Sequence, residues 1–177
     1  MKEKQSKCQK NITNVGAFVG NYFLGENIMD HSIKAAEYFI QGYNCAQAVY
    51  MAFSDITGES ELDAAKVSSS FGGGIGGLRE VCGAFCGLTM VVGKLYGYTD
   101  PKNDADKKKV YGIVQEMADK FKAEAKSVIC REILKVPADG IIVSAEEEKY
   151  YKIRPCARMV MIASRILDEY IAANPVK

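Results

Sequence analysis

Four cysteines of this chain stand where sulfur can do chemistry. Cys45 follows Asn44, Cys82 opens an apolar segment behind a glycine-rich turn, Cys130 follows Ser127, and Cys156 follows Pro155. Each reads as the first turn of a helix. A helix N-terminus presents free N–H groups and partial positive charge. Both favour thiolate over thiol, so each site is expected to have a lowered pKa. Thiolates attack disulfides and ligate soft metals. The plainer reading is a small apolar filler, because free cysteine is among the most buried residue types. Four such placements in one chain favour a shared role over four independent fillers.

Cys86 stands one turn beyond Cys82, on the same helix face. A bond between these two is disfavoured: positions i and i+4 have Cβ atoms roughly 5–6 Å apart. A disulfide wants about 3.8 Å. Partners on other helices suit Cys82 better, but spacing does not say which cysteine pairs with which. Cys82 and Cys86 also suit one shared metal. No C-x-x-C pair exists, so the usual zinc or iron–sulfur signature is missing. Cys8 is read as incidental.

The stretch Phe71 to Tyr96 must organise the rest. Gly72, Gly73, Gly74, Gly76 and Gly77 allow unusual backbone angles and close approach by another element. Leu88, Val91, Val92 and Leu95 then recur at helical spacing. Gly72-x-Gly74-x-x-Gly77 matches a dinucleotide fingerprint only formally, since no strand precedes it. Upstream, Asp30 or Ser32 caps a helix ended by Gly42. Asn44 with Gln47 forms a capping box for the next, which Gly58 stops, and Glu61 to Ser70 makes a third. Downstream, Asp100 as cap and Pro101 at the first helical position lead towards a helix over roughly Asp104 to Ala125. Val110, Ile113, Val114, Met117 and Phe121 are its buried stripe. Ser127 caps a short helix through Cys130 and Leu134. Pro137 and Gly140 break the pattern, and Ile141 to Val143 suits a short extended piece. Ser144 starts another helix, and Pro155 opens the last, with Val160, Ala163, Ile166, Leu167 and Tyr170 inward. The expectation is an all-α bundle of about six to seven helices, with residues 1–28 an N-terminal extension and 29–177 the helical cysteine-motif domain.

Composition narrows function by exclusion. The chain has 177 residues, enough for a real core, and a net charge of +1, which argues against nucleic acid. No apolar run is long enough for a membrane span, and no secretory signal stands out. The expected location is cytoplasmic, where clustered cysteines are more often catalytic or metal-binding than structural. A single histidine, His31, is read as a surface residue, and histidine-based triads and histidine-rich metal sites are disfavoured. Arg79, Arg131 and Arg158 lie near cysteines and suit thiolate stabilisation or ordinary ion pairs. Tyr43 is read as core.

Gly42 to Val49, Phe71 to Gly74, Cys82 to Gly87, Cys130-Arg131-Glu132 and Cys156, in that order, resemble the C-GCAxxG-C-C family of redox-active proteins. The ordered set of motifs runs from about Ala35 to Tyr170, and it is specific where any one motif is weak. The resemblance implies a helical, cytoplasmic protein of the kind found mostly in anaerobes, with a cysteine redox or metal-linked role. It maps the family cysteines onto Cys45, Cys82, Cys130 and Cys156. Cys86 departs from the pattern, either as a resolving thiol or as a filler. Covalent haem is not expected, since C-x-x-C-H is absent.

The leading expectation is a thiol–disulfide redox protein, with Cys82 and Cys45 as the first reactive pair and Cys130 and Cys156 as a second pair or co-ligands. Its partners would be a redox protein, a small-molecule disulfide or an electron carrier, with a homo-oligomer compatible. The alternative is a binding module holding a metal or iron–sulfur cluster through Cys45, Cys82, Cys86, Cys130 and Cys156. A third is a helical interaction domain with cysteines packed inside.

Overall fold

The computed structural model describes residues 31–135 and 155–176. Residues 1–28, Cys8, the Asp30 cap, and the pieces expected around Pro137 to Ser144 lie outside the described residues. The described chain forms α1 (His31–Ile40), α2 (Cys45–Ala52), α3 (Ser54–Thr57), α4 (Glu61–Ser68), a 3-10 turn (Ser69–Phe71), α5 (Gly83–Tyr96), α6 (Asp104–Ala125), α7 (Cys130–Leu134) and α8 (Cys156–Ala173). The protein is all-α.

Local chemistry accounts for most boundaries. Gly42 ends the α1 segment at φ 102° and Gly58 ends α3 at φ 71°, both in the left-handed region that glycine enters cheaply. Asn44 caps α2 with the full capping box, its side chain accepting from Ala46 and Gln47 N–H and Gln47 answering on the Asn44 N–H. Two expected caps move. Ser32 lies inside α1, so it is not a cap. Asp100 and Pro101 sit in a turn ahead of α6, where Asp100 Oδ1 accepts the Lys102 N–H at 2.9 Å. Asn103 is the residue that caps α6, on the Asp106 N–H at 3.1 Å. Ser127 Oγ takes the Ile129 N–H just before α7, so it orders the approach to the helix.

α5 packs on α2, α6 and α8, and α8 also lies along α1 and α2. Their shared interior holds Val49, Phe53, Leu88, Val91, Val92, Met117, Phe121, Val160, Ile166 and Leu167. Of the expected α6 stripe, Val110, Ile113, Met117 and Phe121 are buried and Val114 is half-buried. The α2 and α5 backbones come very close. A Cβ on Gly87 would stand 2.7 Å from the Ala46 carbonyl oxygen, and one on Gly83 would stand 3.1 Å from Cys45 Cβ. Glycine at these two positions therefore sets the helix separation, and brings Cys45 beside the start of α5.

His31 is not a surface residue. It is 5% exposed, stacked on Phe53 with ring centroids 4.2 Å apart. Its Nδ1 meets Asp168 and its Nε2 meets Asp55. Both carboxylates are distant in sequence, which hides the partnership from any local reading. Tyr43 is half-buried and edge-on to Tyr38.

Candidate functional site

The glycine turn builds one wall of the site. Gly73, Gly74, Ile75, Gly76 and Gly77 all have φ between 58° and 87°. The chain therefore makes a short left-handed coil. The N–H groups of residues 75–80 all donate to carbonyls of residues 70–75, so the turn spends its donors on itself. This agrees with setting the dinucleotide fingerprint aside, because a phosphate-cradling loop needs free N–H groups. Ile75 and Arg79, at φ 65° and 61°, hold left-handed angles without being glycine. That strain is held by the surrounding bonds.

The coil delivers the chain into a short antiparallel bridge between Val81 and Ile129. Cys82 N–H donates to the Val128 carbonyl at 2.8 Å, and Cys130 N–H donates to the Glu80 carbonyl at 2.6 Å. The bridge thus ties together the two backbone segments that carry Cys82 and Cys130. Gly74 fits against Cys130, since a Cβ there would stand 2.7 Å from Cys130 Cβ. Sequence reading missed this bridge. The only local signals were β-branched Val81 and Ile129, each directly before a cysteine, too short a pattern to suggest pairing.

Cys45, Cys130 and Cys156 each occupy the first position of a helix, and Cys82 is the N-cap of α5. The four starts converge. Cys156 stands close enough to Cys45 to dominate its ionisation, and Cys82 and Cys130 lie within electrostatic reach of it. Cys82 feels Cys130 and Cys156, and Cys86 feels Cys130. All five are free thiols. Cys82, Cys86, Cys130 and Cys156 are buried and Cys45 is half-buried. Cys86 turns back over the start of α5, its Sγ 3.8 Å from the Val81 carbonyl oxygen. Cys82, the partner expected for Cys45, is among the thiols within its electrostatic reach, and Cys156 acts on it more strongly.

The expected lowering of thiol pKa is reversed. Burial pushes Cys82 up to about 12, against backbone N–H groups of Phe85 and Ala84 that pull it down. The helix terminus does act in the expected direction, and desolvation of the thiolate outweighs it. Burial also raises Cys86, to about 11. Cys45 is held well above the ordinary thiol value by Cys156, then by burial. A second nearby thiolate would penalise charging further, so Cys45, Cys82 and Cys86 favour the neutral thiol.

Arg131 pairs with Glu80 at 2.5 Å, which clamps the bridge from outside. Arg79 is buried, and its carbonyl accepts the Arg131 N–H at 3.0 Å. Arg158 is exposed. Among the described residues, no group of three or more His, Cys, Asp and Glu side chains is arranged to hold one metal ion. Nor is any described helix long and apolar enough to cross a membrane.

Searches of curated proteins and of solved structures each returned no match. A family profile does match, over residues 43–170, with the description "Putative redox-active protein (C_GCAxxG_C_C)". That span starts just before the Asn44 cap and takes in Cys45, Cys82, Cys86, Cys130 and Cys156, the residues whose thiols meet in the cluster. The chain belongs to the C_GCAxxG_C_C family.

Proposed function

We propose that this chain is a thiol–disulfide redox protein whose working couple is Cys45 and Cys156. One observation carries the reading: Cys156, on a helix far away in sequence, stands close enough to Cys45 to be the largest influence on its ionisation, with Cys82 and Cys130 in electrostatic reach.

Cys45 is half-buried as a residue where the other four cysteines are buried, and it acts first. Its thiol gives up a proton and the sulfur attacks one sulfur of an acceptor disulfide. The other half of the acceptor leaves as a thiolate and takes up a proton. Cys156 then attacks the Cys45 side of the mixed disulfide, loses its own proton, and expels the second half as a thiol. The protein ends with a Cys45–Cys156 disulfide, and the acceptor ends as two thiols. Two electrons and two protons have moved. Cys82 and Cys130, on the two backbone segments joined by the Val81–Ile129 bridge, are a second pair that can exchange with the first. The partner is a redox protein or a small disulfide, and a reducing cytoplasm would return the couple to thiols.

The metal or iron–sulfur reading has weaker support. Thiolates are suitable donors chemically, but the described side chains do not group as a ligand set, so no step is derived through a metal.

The test is equilibration in buffers of graded dithiothreitol redox state, followed by alkylation and peptide mapping. A reversible Cys45–Cys156 disulfide is expected, abolished in Cys156→Ser. Thiols that stay reduced across the whole range would sink the reading. So would stoichiometric metal bound to the anaerobically purified protein.

A further inference from the structure

Asn44 does more than cap a helix. Its Oδ1 accepts the Ala46 and Gln47 N–H groups, each at 3.0 Å. Those two donors assign the amide orientation, because nitrogen in that place would face N–H groups. The other end of the amide, Nδ2, therefore points away from α2. It donates to the Ser69 carbonyl at 2.9 Å, in the 3-10 turn 25 residues on. Gly72 lies flat against this amide, where a Cβ would stand 2.4 Å from Asn44 Cγ. The same turn continues to Phe71, whose carbonyl oxygen stands 3.0 Å from where a Gly83 Cβ would be. Cys45 Cβ lies 3.1 Å from that same point. Asn44, Ser69 to Gly72, Gly83 and Cys45 thus form a closed circuit beside Cys82. Gln47 supports it from the other side, its Nε2 donating to the Ala65 carbonyl at 2.9 Å.

We infer that Asn44 is a positioning residue for the thiol cluster: its amide nitrogen, held by the Ser69 carbonyl, seats Cys45 against Gly83 and beside the other sulfurs. The role belongs to Nδ2, while capping belongs to Oδ1, so chemistry can separate the two. Serine at this position keeps a cap oxygen but has no donor that reaches Ser69. The consequence for redox work rests on the proposed Cys45–Cys156 couple. The placement of Cys45 itself does not.

The test therefore reads placement directly. Native, fully reduced protein is alkylated with iodoacetamide, and the rate at each cysteine is followed by peptide mass spectrometry. In Asn44→Ser the Cys45 rate is expected to change by about tenfold, since sub-ångström displacements carry effects of that order. The Cys86 rate and the helical circular dichroism should stay as in wild type. Gly72→Ala is the second variant. Gly72 has φ −63° and ψ 155°, angles any residue adopts, so its added methyl acts only by crowding the Asn44 amide. It should give the same change confined to Cys45. A Cys45 rate within twofold of wild type in both variants would overturn the inference. A rise shared equally by Cys86 would do so too, because it marks general loosening. If the wild type forms no Cys45–Cys156 disulfide, the redox reading fails while these rates still decide the role of Asn44.

Discussion

His31 Nδ1 stands 2.5 Å from Asp168 Oδ1, joining the first described helix to the last across 137 residues of sequence. Asp55 Oδ2 holds the opposite ring nitrogen at 3.2 Å, and Phe53 covers the ring face. Both carboxylates favour imidazolium. Burial by itself would lower the pKa of His31, but the hydrogen bond and charge of Asp168, followed by those of Asp55, outweigh it and raise the value. One protonated ring then clamps α1, α3 and α8.

The sign of its pH dependence follows. A histidine with a raised folded pKa stabilises the fold fully below its unfolded value, near 6.5, and loses that contribution as pH rises through the folded value. His31→Gln should cost about 1–3 kcal/mol at pH 6, the scale of hydrogen bonds to charged groups. The difference from wild type should shrink as pH climbs. Urea melts from pH 6 to 9 check this, and a difference constant across that range would refute the clamp.

The thiols should be sluggish at neutral pH. With its pKa pushed up to about 12, Cys82 carries on the order of a thousandfold less thiolate at pH 8 than an unshifted thiol near 9.0. Its alkylation in native protein should be slow, and should accelerate steeply between pH 8 and 11. The raised values also favour the folded state only while the thiols stay protonated. Stability should therefore fall from about pH 9 upward as unfolded thiols ionise first. Alkylation faster than that of a free thiol peptide at pH 7 would contradict the buried, neutral cluster.

Gly87 and Gly93 lie in the same helix and should respond oppositely to alanine. A Cβ on Gly87 would meet the Ala46 carbonyl oxygen at 2.7 Å and Val49 Cβ at 2.9 Å. Gly87→Ala should therefore destabilise by about 1–3 kcal/mol through overpacking. Gly93 has nothing within 4 Å of that position. Gly93→Ala should stabilise by about 0.5–1 kcal/mol from helix propensity. Thermal melts of the two variants distinguish close packing from a uniform glycine effect.

The moved cap offers a direct comparison. Asn103→Ala removes the acceptor of the Asp106 N–H and should cost about 1 kcal/mol. Asp100→Ala, in the exposed turn before it, should stay within about 0.5 kcal/mol of wild type. Equal losses would mean that Asp100 shares the cap.

Much of the local structure was legible because it is governed by near neighbours. The Asn44–Gln47 capping box, the stops at Gly42 and Gly58, and the inward stripe of α8 depend on residues within a few positions. The same holds for cysteines at helix starts, since Cys45, Cys130 and Cys156 all open helices as their flanking residues suggest. What distance in sequence hid was partnership. Neither the Val81–Ile129 bridge nor the Asp168–His31–Asp55 clamp leaves a periodic trace. The thiol pKa values went the other way from the local expectation, because desolvation depends on everything packed around a sulfur.

The amino-acid sequence by itself determined an all-α protein of this cysteine family, with its chemistry-bearing residues at helix N-termini. Only the tertiary structure decided that the helix-start cysteines come within electrostatic reach of one another, that burial raises the Cys82 thiol rather than lowering it, and that His31 is buried between two carboxylates. Helix starts and stops are set by short-range backbone hydrogen bonding, which adjacent residues encode. Which sulfurs meet, and in what dielectric, is set by glycine-permitted helix contacts and a long-range backbone bridge that no local pattern specifies.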